Sequence, residues 1–208
     1  MKTYLFDFDG TLVDSEYVWD VSFNRYFHEE KISASFSDFR QAVEHMTIPE
    51  CAVYMHDVLE LSQSPEEIYQ RIHEIVIGLY QKEVKPIGGM AAFIRQCHQQ
   101  GIQLGVVTSN RTDIVELVLH RFGIRDCFEK LYCTEDTHRP KKDPKTYEYI
   151  LEDMHTTAQD TLLFEDTYYA IASAAQCGIQ SLAIRSEINA REMAEHNVKM
   201  ICDYTELL

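Results

Sequence analysis

The chain has 208 residues, 25% charged and 45% hydrophobic, which suits one core with an inserted unit and excludes a disordered chain. Its formal net charge of −15 argues against a nucleic-acid backbone or an anionic membrane as partner. No apolar run reaches the roughly 18 residues of a membrane span, and the N-terminus lacks the basic start and apolar stretch of a signal peptide. Cys51, Cys97, Cys127, Cys133, Cys177 and Cys202 include no CxxC pair and read as reduced thiols of a cytoplasmic protein. The nine histidines show no zinc-ligand spacing.

The first predicted strand, 3–7, leads into Asp7-Phe8-Asp9-Gly10-Thr11. Alternate strand residues share a face, so an extended chain would hold the two carboxylates roughly 6–7 Å apart. Gly10 permits a sharp departure just beyond them. Ligands of open α/β sheets bind outside the carboxyl ends of the strands. Two acids there suit a nucleophile and a proton donor and acceptor. Alone, the pattern also describes a strand end with an acidic turn.

Residues 15 to about 83 carry apolar positions at helical spacing. They are Val18, Val21 and Phe27, then Phe36, Phe39, Val43 and Met46, then Val53, Val58, Leu59 and Leu61, then Ile68, Ile72, Ile75 and Leu79. Breaks fall near 31–33, 47–49 and 62–65, and Pro65-Glu66-Glu67 after Ser64 is a helix start. The segment therefore reads as four helices without strand signal. Pro86-Ile87-Gly88-Gly89 marks the return to the main domain. The boundaries that follow are 1–14 with 84–208 for an α/β core and 15–83 for an all-α insert.

Strands are predicted near 102–107, 130–133, 161–164 and 180–184, with a sixth near 198–202 and helices between. That alternation predicts a doubly wound parallel sheet with right-handed crossovers. Strand 102–107 ends in Thr108-Ser109-Asn110, where a hydroxyl and backbone N–H groups can hold an anion or cap a helix. Arg139-Pro140-Lys141-Lys142-Asp143-Pro144 offers cations suited to a phosphoryl group, or a solvated basic loop. Strand 161–164 enters Glu165-Asp166-Thr167 and an Ala-rich helix that stops near Cys177-Gly178. Those acids suit a hard cation such as Mg²⁺, or the N-terminus of a helix.

These four segments, in this order, resemble the four motifs of the haloacid dehalogenase superfamily of phosphohydrolases. Asp7-Phe8-Asp9-Gly10-Thr11 resembles its DxDGT/V nucleophile motif, and Thr108 its strand-terminal hydroxyl. Aligning Pro144 with the last proline of KPxP puts Lys141 at the lysine. Lys142 then replaces the first proline, so Lys142 and Arg139 stay open as alternatives. Glu165-Asp166-Thr167 resembles EDSxxG, with Tyr168, Tyr169 and Ala170 where small residues and glycine are usual. The resemblance covers essentially the whole chain.

The resemblance implies a strand order 3-2-1-4-5 with strand one central. It implies that the helical insert is a cap over the active site, with hinges near Val13 to Ser15 and Lys82 to Gly88. Arg40, His45, Thr47 and Trp19 are the cap residues it offers to a substrate. It implies that Asp7 forms an aspartyl phosphate and that Asp9 is the general acid and base. Mg²⁺ would be held by Asp7, Asp166 and the backbone carbonyl of Asp9, with Glu165 orienting metal-bound water. Thr108, Ser109, Asn110 and Lys141 would hold the phosphoryl oxygens. The expected partner is a small phosphorylated metabolite; the oligomeric state stays open, with a monomer favoured.

Three other functions fit the same resemblance. A haloacid dehalogenase needs no proton donor at Asp9, and a noncatalytic scaffold would have lost a motif residue. A phosphosugar mutase of the β-phosphoglucomutase type looks as though it carries a histidine nine or ten residues beyond the second acid. Here those positions are Val18 and Trp19, and the first histidine is His28. A phosphatase is the expected activity.

Overall fold

The computed structural model describes residues 2–43, 46 and 48–208. His45 and Thr47, two of the expected substrate-facing positions, lie outside the described residues. The chain divides into two compact units, Met1–Ser15 with Lys85–Leu208, and Glu16–Val84.

The first unit is built on a six-stranded, all-parallel sheet. Its strands are β1 (Thr3–Phe6), β4 (Gln103–Thr108), β5 (Lys130–Cys133), β6 (Thr161–Glu165), β7 (Gln180–Ile184) and β8 (Met200–Ile201). Their spatial order is β5-β4-β1-β6-β7-β8, which is the expected 3-2-1-4-5 with the sixth strand added at one edge. β1 is flanked on both sides, pairing Phe6 with Val106 of β4 and with Phe164 of β6.

A central parallel strand is covered on both faces, so both sets of alternating side chains must be apolar. Leu5 and Leu163 join Tyr147 and Ile150 of α8 (Pro144–Asp153), Met154 just beyond it, and Ala174 of α9 (Tyr168–Gln176) in one buried cluster. Phe6 and Phe164 turn the other way and stack at 4.6 Å between centroids. They meet Phe93 of α5 (Met90–Gln99) and Tyr204. Such aromatic pairs contribute about 0.5–1.5 kcal/mol beyond their burial. This double coverage fixes where the carboxyl ends of β1 and β6 lie.

The remaining elements of this unit are α6 (Thr112–Arg121), the short α7 (Thr134–Thr137), α10 (Ala190–Glu195) and a two-stranded antiparallel ribbon. The ribbon joins β2 (Val13–Asp14) to β3 (Lys85–Pro86). The two segments expected as hinges are thus hydrogen-bonded to each other, and Ile87 N–H also donates to Leu12 O at 3.0 Å.

The second unit contains α1 (Val18–Glu29), α2 (Phe36–Val43), α3 (Ile48–Leu59) and α4 (Pro65–Lys82). Ser64 and Glu67 form a capping box at the start of α4, with Pro65 in its first turn. Phe23 and Phe36 stack at 4.4 Å, and Ile68, Ile72 and Leu79 are fully buried. Arg71 grips Glu29 with two bonds of 2.8 Å. No helix of the described residues is long and apolar enough to cross a membrane.

Candidate active site

β1 stops at Phe6, one residue earlier than the sequence suggests, although Asp7 N–H still donates to Phe164 O at 2.9 Å. Asp7 and Asp9 therefore do not sit on an extended strand. The chain bends at Phe8, and Gly10 takes φ +72° with its N–H donating to Val13 O at 2.8 Å. A Cβ on Gly10 would lie 2.1 Å from Asp166 Oδ2, so this position excludes a side chain on grounds of both backbone and space.

The turn separates the two acids. Asp7 is 3% exposed and its Oδ1 accepts from Lys141 Nζ at 2.7 Å. Asp9 is half-buried; its Oδ1 accepts from Ser15 Oγ at 2.6 Å and its Oδ2 from Asn110 Nδ2 at 2.8 Å. Asn110 reaches this point from the turn after β4, where Thr108 Oγ1 accepts the Asn110 N–H at 3.0 Å. Thr108 is buried and Ser109 is exposed.

β6 delivers the second pair of acids. Glu165 is fully buried and every bond it makes is internal. Its Oε2 accepts from Lys141 Nζ at 2.9 Å. Its Oε1 accepts from Asp166 N, Thr167 N and Thr167 Oγ1 at 3.1, 3.0 and 2.8 Å. Asp166 faces Gly10. Oxygen atoms from Asp7, Glu165 and Asp166 all lie within 4.8 Å of one another, a spacing that admits a divalent cation.

Lys141 is buried between Asp7 and Glu165, whereas Lys142 is exposed and Arg139 lies over the Tyr149 ring at 4.2 Å. Proline makes this possible locally. Pro144 opens α8, capped by Asp143 Oδ1 accepting from Lys145 N–H at 3.0 Å, which fixes the loop that carries the lysine.

Residues 4–184 match the model of the haloacid dehalogenase-like hydrolases. The chain belongs to this family. It is 27% identical over 212 residues to the validoxylamine A 7'-phosphate phosphatase of Streptomyces hygroscopicus subsp. limoneus, covering 99% of this chain and 95% of that protein. It is 22% identical over 182 residues to the phosphorylated carbohydrates phosphatase of Thermotoga maritima, covering 88% and 84%. Among solved structures, CbbY from Rhodobacter sphaeroides in complex with phosphate has a TM-score of 0.78 at 20% identity, covering 100% of this chain and 96% of that one.

The electrostatics of the family site follow from its burial. Desolvation, followed by the Glu165 charge, raises the Asp7 carboxyl to about 7. Desolvation and then the Asp7 and Glu165 charges raise Asp166 to about 10. Burial works against the charge on Lys141, but the Asp7 and Glu165 carboxylates outweigh it and hold its pKa well above the ordinary value. One buried lysine does not neutralise three clustered acids. The donor set is all oxygen, crowded and short of positive charge, so it fits a hard divalent cation.

The other sequence-derived positions are placed as follows. Tyr168 stacks on His196 at 3.6 Å between centroids, and Tyr169 is exposed. In the helical unit, Arg40 pairs with Asp20 at 3.0 Å, and Trp19 stacks on Phe23 at 6.1 Å while staying exposed. Three residues near the site carry no sequence signal of their own. Ser15 binds Asp9, Ser173 Oγ donates to Lys142 O at 2.8 Å, and Asn189 binds the Asp166 carbonyl. Each acts across the fold or the turn, and no motif spacing connects them.

Proposed function

We propose that this protein is an Mg²⁺-dependent phosphomonoester hydrolase acting on a small phosphorylated metabolite, with phosphorylated carbohydrates as the first class to test. The carrying observation is the buried Asp7 carboxylate, bonded to Lys141 and within 4.8 Å of Asp166, at the carboxyl ends of two adjacent strands. The names of the two curated relatives supply the substrate class.

Asp7 attacks phosphorus, forming an aspartyl phosphate as the bond to the leaving oxygen breaks. Asp9, protonated, gives its proton to that oxygen. The resulting carboxylate then takes a proton from water, whose oxygen attacks phosphorus, releases Asp7 and yields inorganic phosphate. Ser15 and Asn110 aim the Asp9 carboxyl through both of its oxygens. Lys141, with Thr108 and Ser109, holds the transferring phosphoryl oxygens. Mg²⁺, held by Asp7, Asp166 and the Asp9 carbonyl, supplies neutralisation of phosphoryl charge when bound. Glu165 orients the site around it.

The test is phosphate release across a phosphometabolite panel with Mg²⁺ and with excess chelator. Turnover of sugar phosphates that stops with chelator and returns with Mg²⁺ is expected. Full turnover in chelator would remove the cation from the reading. With β-glucose 1-phosphate, glucose 6-phosphate forming faster than free phosphate would replace the hydrolase by a mutase.

A further inference from the structure

Asn189 occupies the N-cap position of α10, where an asparagine side chain ordinarily accepts from the first free N–H groups of the helix. Here it makes no such bond. Its side chain turns inward and the residue is 7% exposed. One amide hydrogen goes to Asp166 O at 2.9 Å and the other to Ile184 O at 2.8 Å. Its Oδ1 accepts from Ser186 N–H at 2.9 Å, and its own N–H donates to Ser186 Oγ at 3.3 Å. The amide is fully used, and it joins the ends of the adjacent strands β6 and β7.

We propose that Asn189 is a positioning residue that sets the divalent-cation affinity of the acidic cluster by fixing the main chain of Asp166. This rests on the reading of Asp7 and Asp166 as cation ligands. The Asp166 peptide is held on both sides, its N–H by Glu165 Oε1 at 3.1 Å and its C=O by Asn189. With both groups fixed, the freedom left to the carboxylate is side-chain rotation. Its Oδ2 occupies the space that Gly10 leaves open by having no Cβ. Loss of the Asn189 amide removes the side-chain donor from both carbonyls and frees the residue that carries the ligand. Partners that orient ligands characteristically govern metal affinity by about 10–100-fold.

The experiment is calorimetric titration of the chelator-treated full chain with MgCl₂, well below the unfolding temperature. The variants are Asn189→Ala, Asn189→Asp and Ser186→Ala. Asn189→Asp keeps the shape and the acceptor for Ser186 but replaces the donor. Both Asn189 variants are expected to weaken Mg²⁺ binding by about tenfold or more. The substrate KM at saturating Mg²⁺ should stay within twofold of wild type. Ser186→Ala leaves the amide in place and is expected to weaken binding by less than either. A purely structural clasp would lower the unfolding temperature and leave the Mg²⁺ midpoint within twofold, and that result overturns the proposal. Should one Asn189 variant not fold, the Mg²⁺ midpoint of the other decides, since a value within twofold of wild type there overturns the proposal. Wild-type protein that binds no Mg²⁺, like an Asp166→Ala control, would instead overturn the cation site itself.

Discussion

The ends of β1 and β6 each carry two acids, and each pair divides its work in opposite order. After β1 the first acid, Asp7, enters the buried cluster, while the second, Asp9, turns to the neutral donors Ser15 and Asn110. After β6 the first acid, Glu165, is consumed by four internal bonds, while the carboxylate of the second, Asp166, lies against Gly10. All four are carboxylates. What separates a reactive carboxylate from a structural one here is how many of its lone pairs the protein already uses.

The largest effect should fall on turnover. Asp7→Asn is expected to lower kcat/KM by roughly 10⁴-fold or more, the scale of losing a covalent nucleophile. Asp9→Asn should lower it by about 10²–10⁴-fold, the range of a general acid and base. Phosphate-release assays rank them, and a greater loss at Asp9 would reverse the roles. Next comes stability. Lys141→Met leaves Asp7 and Glu165 buried without a counter-charge and should cost about 3–5 kcal/mol in denaturant unfolding. Lys142→Ala should stay within about 0.5 kcal/mol. Similar losses at the two lysines would mean that the Lys141 pairs do not hold in solution.

A smaller effect separates the β6 pair. Glu165→Ala strands the N–H groups of Asp166 and Thr167 and half of the lysine's pairing, a cost of at least about 1–3 kcal/mol. Asp166→Asn replaces a carboxyl whose ionisation burial and its neighbours oppose. In chelator its unfolding temperature should match or exceed wild type, while the Mg²⁺-induced rise disappears. If the two variants lost stability equally in chelator, the division between a structural and an open acid would collapse.

The sequence made the strand ends legible because each is a local event, an apolar run broken by polar residues. The strand order came from the family resemblance rather than from periodicity. Lys141 was legible through Pro144, which fixes the register of its loop. The ribbon of β2 and β3 was not legible, since two residues per strand leave no alternation to read. Nor was the division of labour within each acid pair. It depends on Gly10 turning the chain after β1, and on Ser15, Asn110 and Lys141 arriving from elsewhere in the fold. Asn189 belongs to no motif, and its partner Asp166 lies 23 residues away.

The last prediction concerns pH. Asp7 is raised to about 7 by burial and then by the Glu165 charge, and Asp166 to about 10 by burial and then by the Asp7 and Glu165 charges. A carboxyl raised on folding binds its proton more tightly in the native state than in the unfolded one. Its contribution is therefore fully present below the ordinary carboxylate pKa and is lost as pH rises through the folded value. In chelator, stability should decline from about pH 4 to 7 through Asp7 and onward toward pH 10 through Asp166. Lys141 is raised above a value already beyond this window and adds no slope within it. Mg²⁺ competes with the same protons, so its binding weakens as pH falls. At a hundred times its dissociation constant, bound Mg²⁺ stabilises by about 2.7 kcal/mol. At one fixed Mg²⁺ concentration, the rise in unfolding temperature over chelator should therefore grow from pH 5 to pH 9. Thermal scans at each pH measure it, and a rise that is flat or shrinks with pH would mean that these two carboxyls are not the groups the cation displaces protons from.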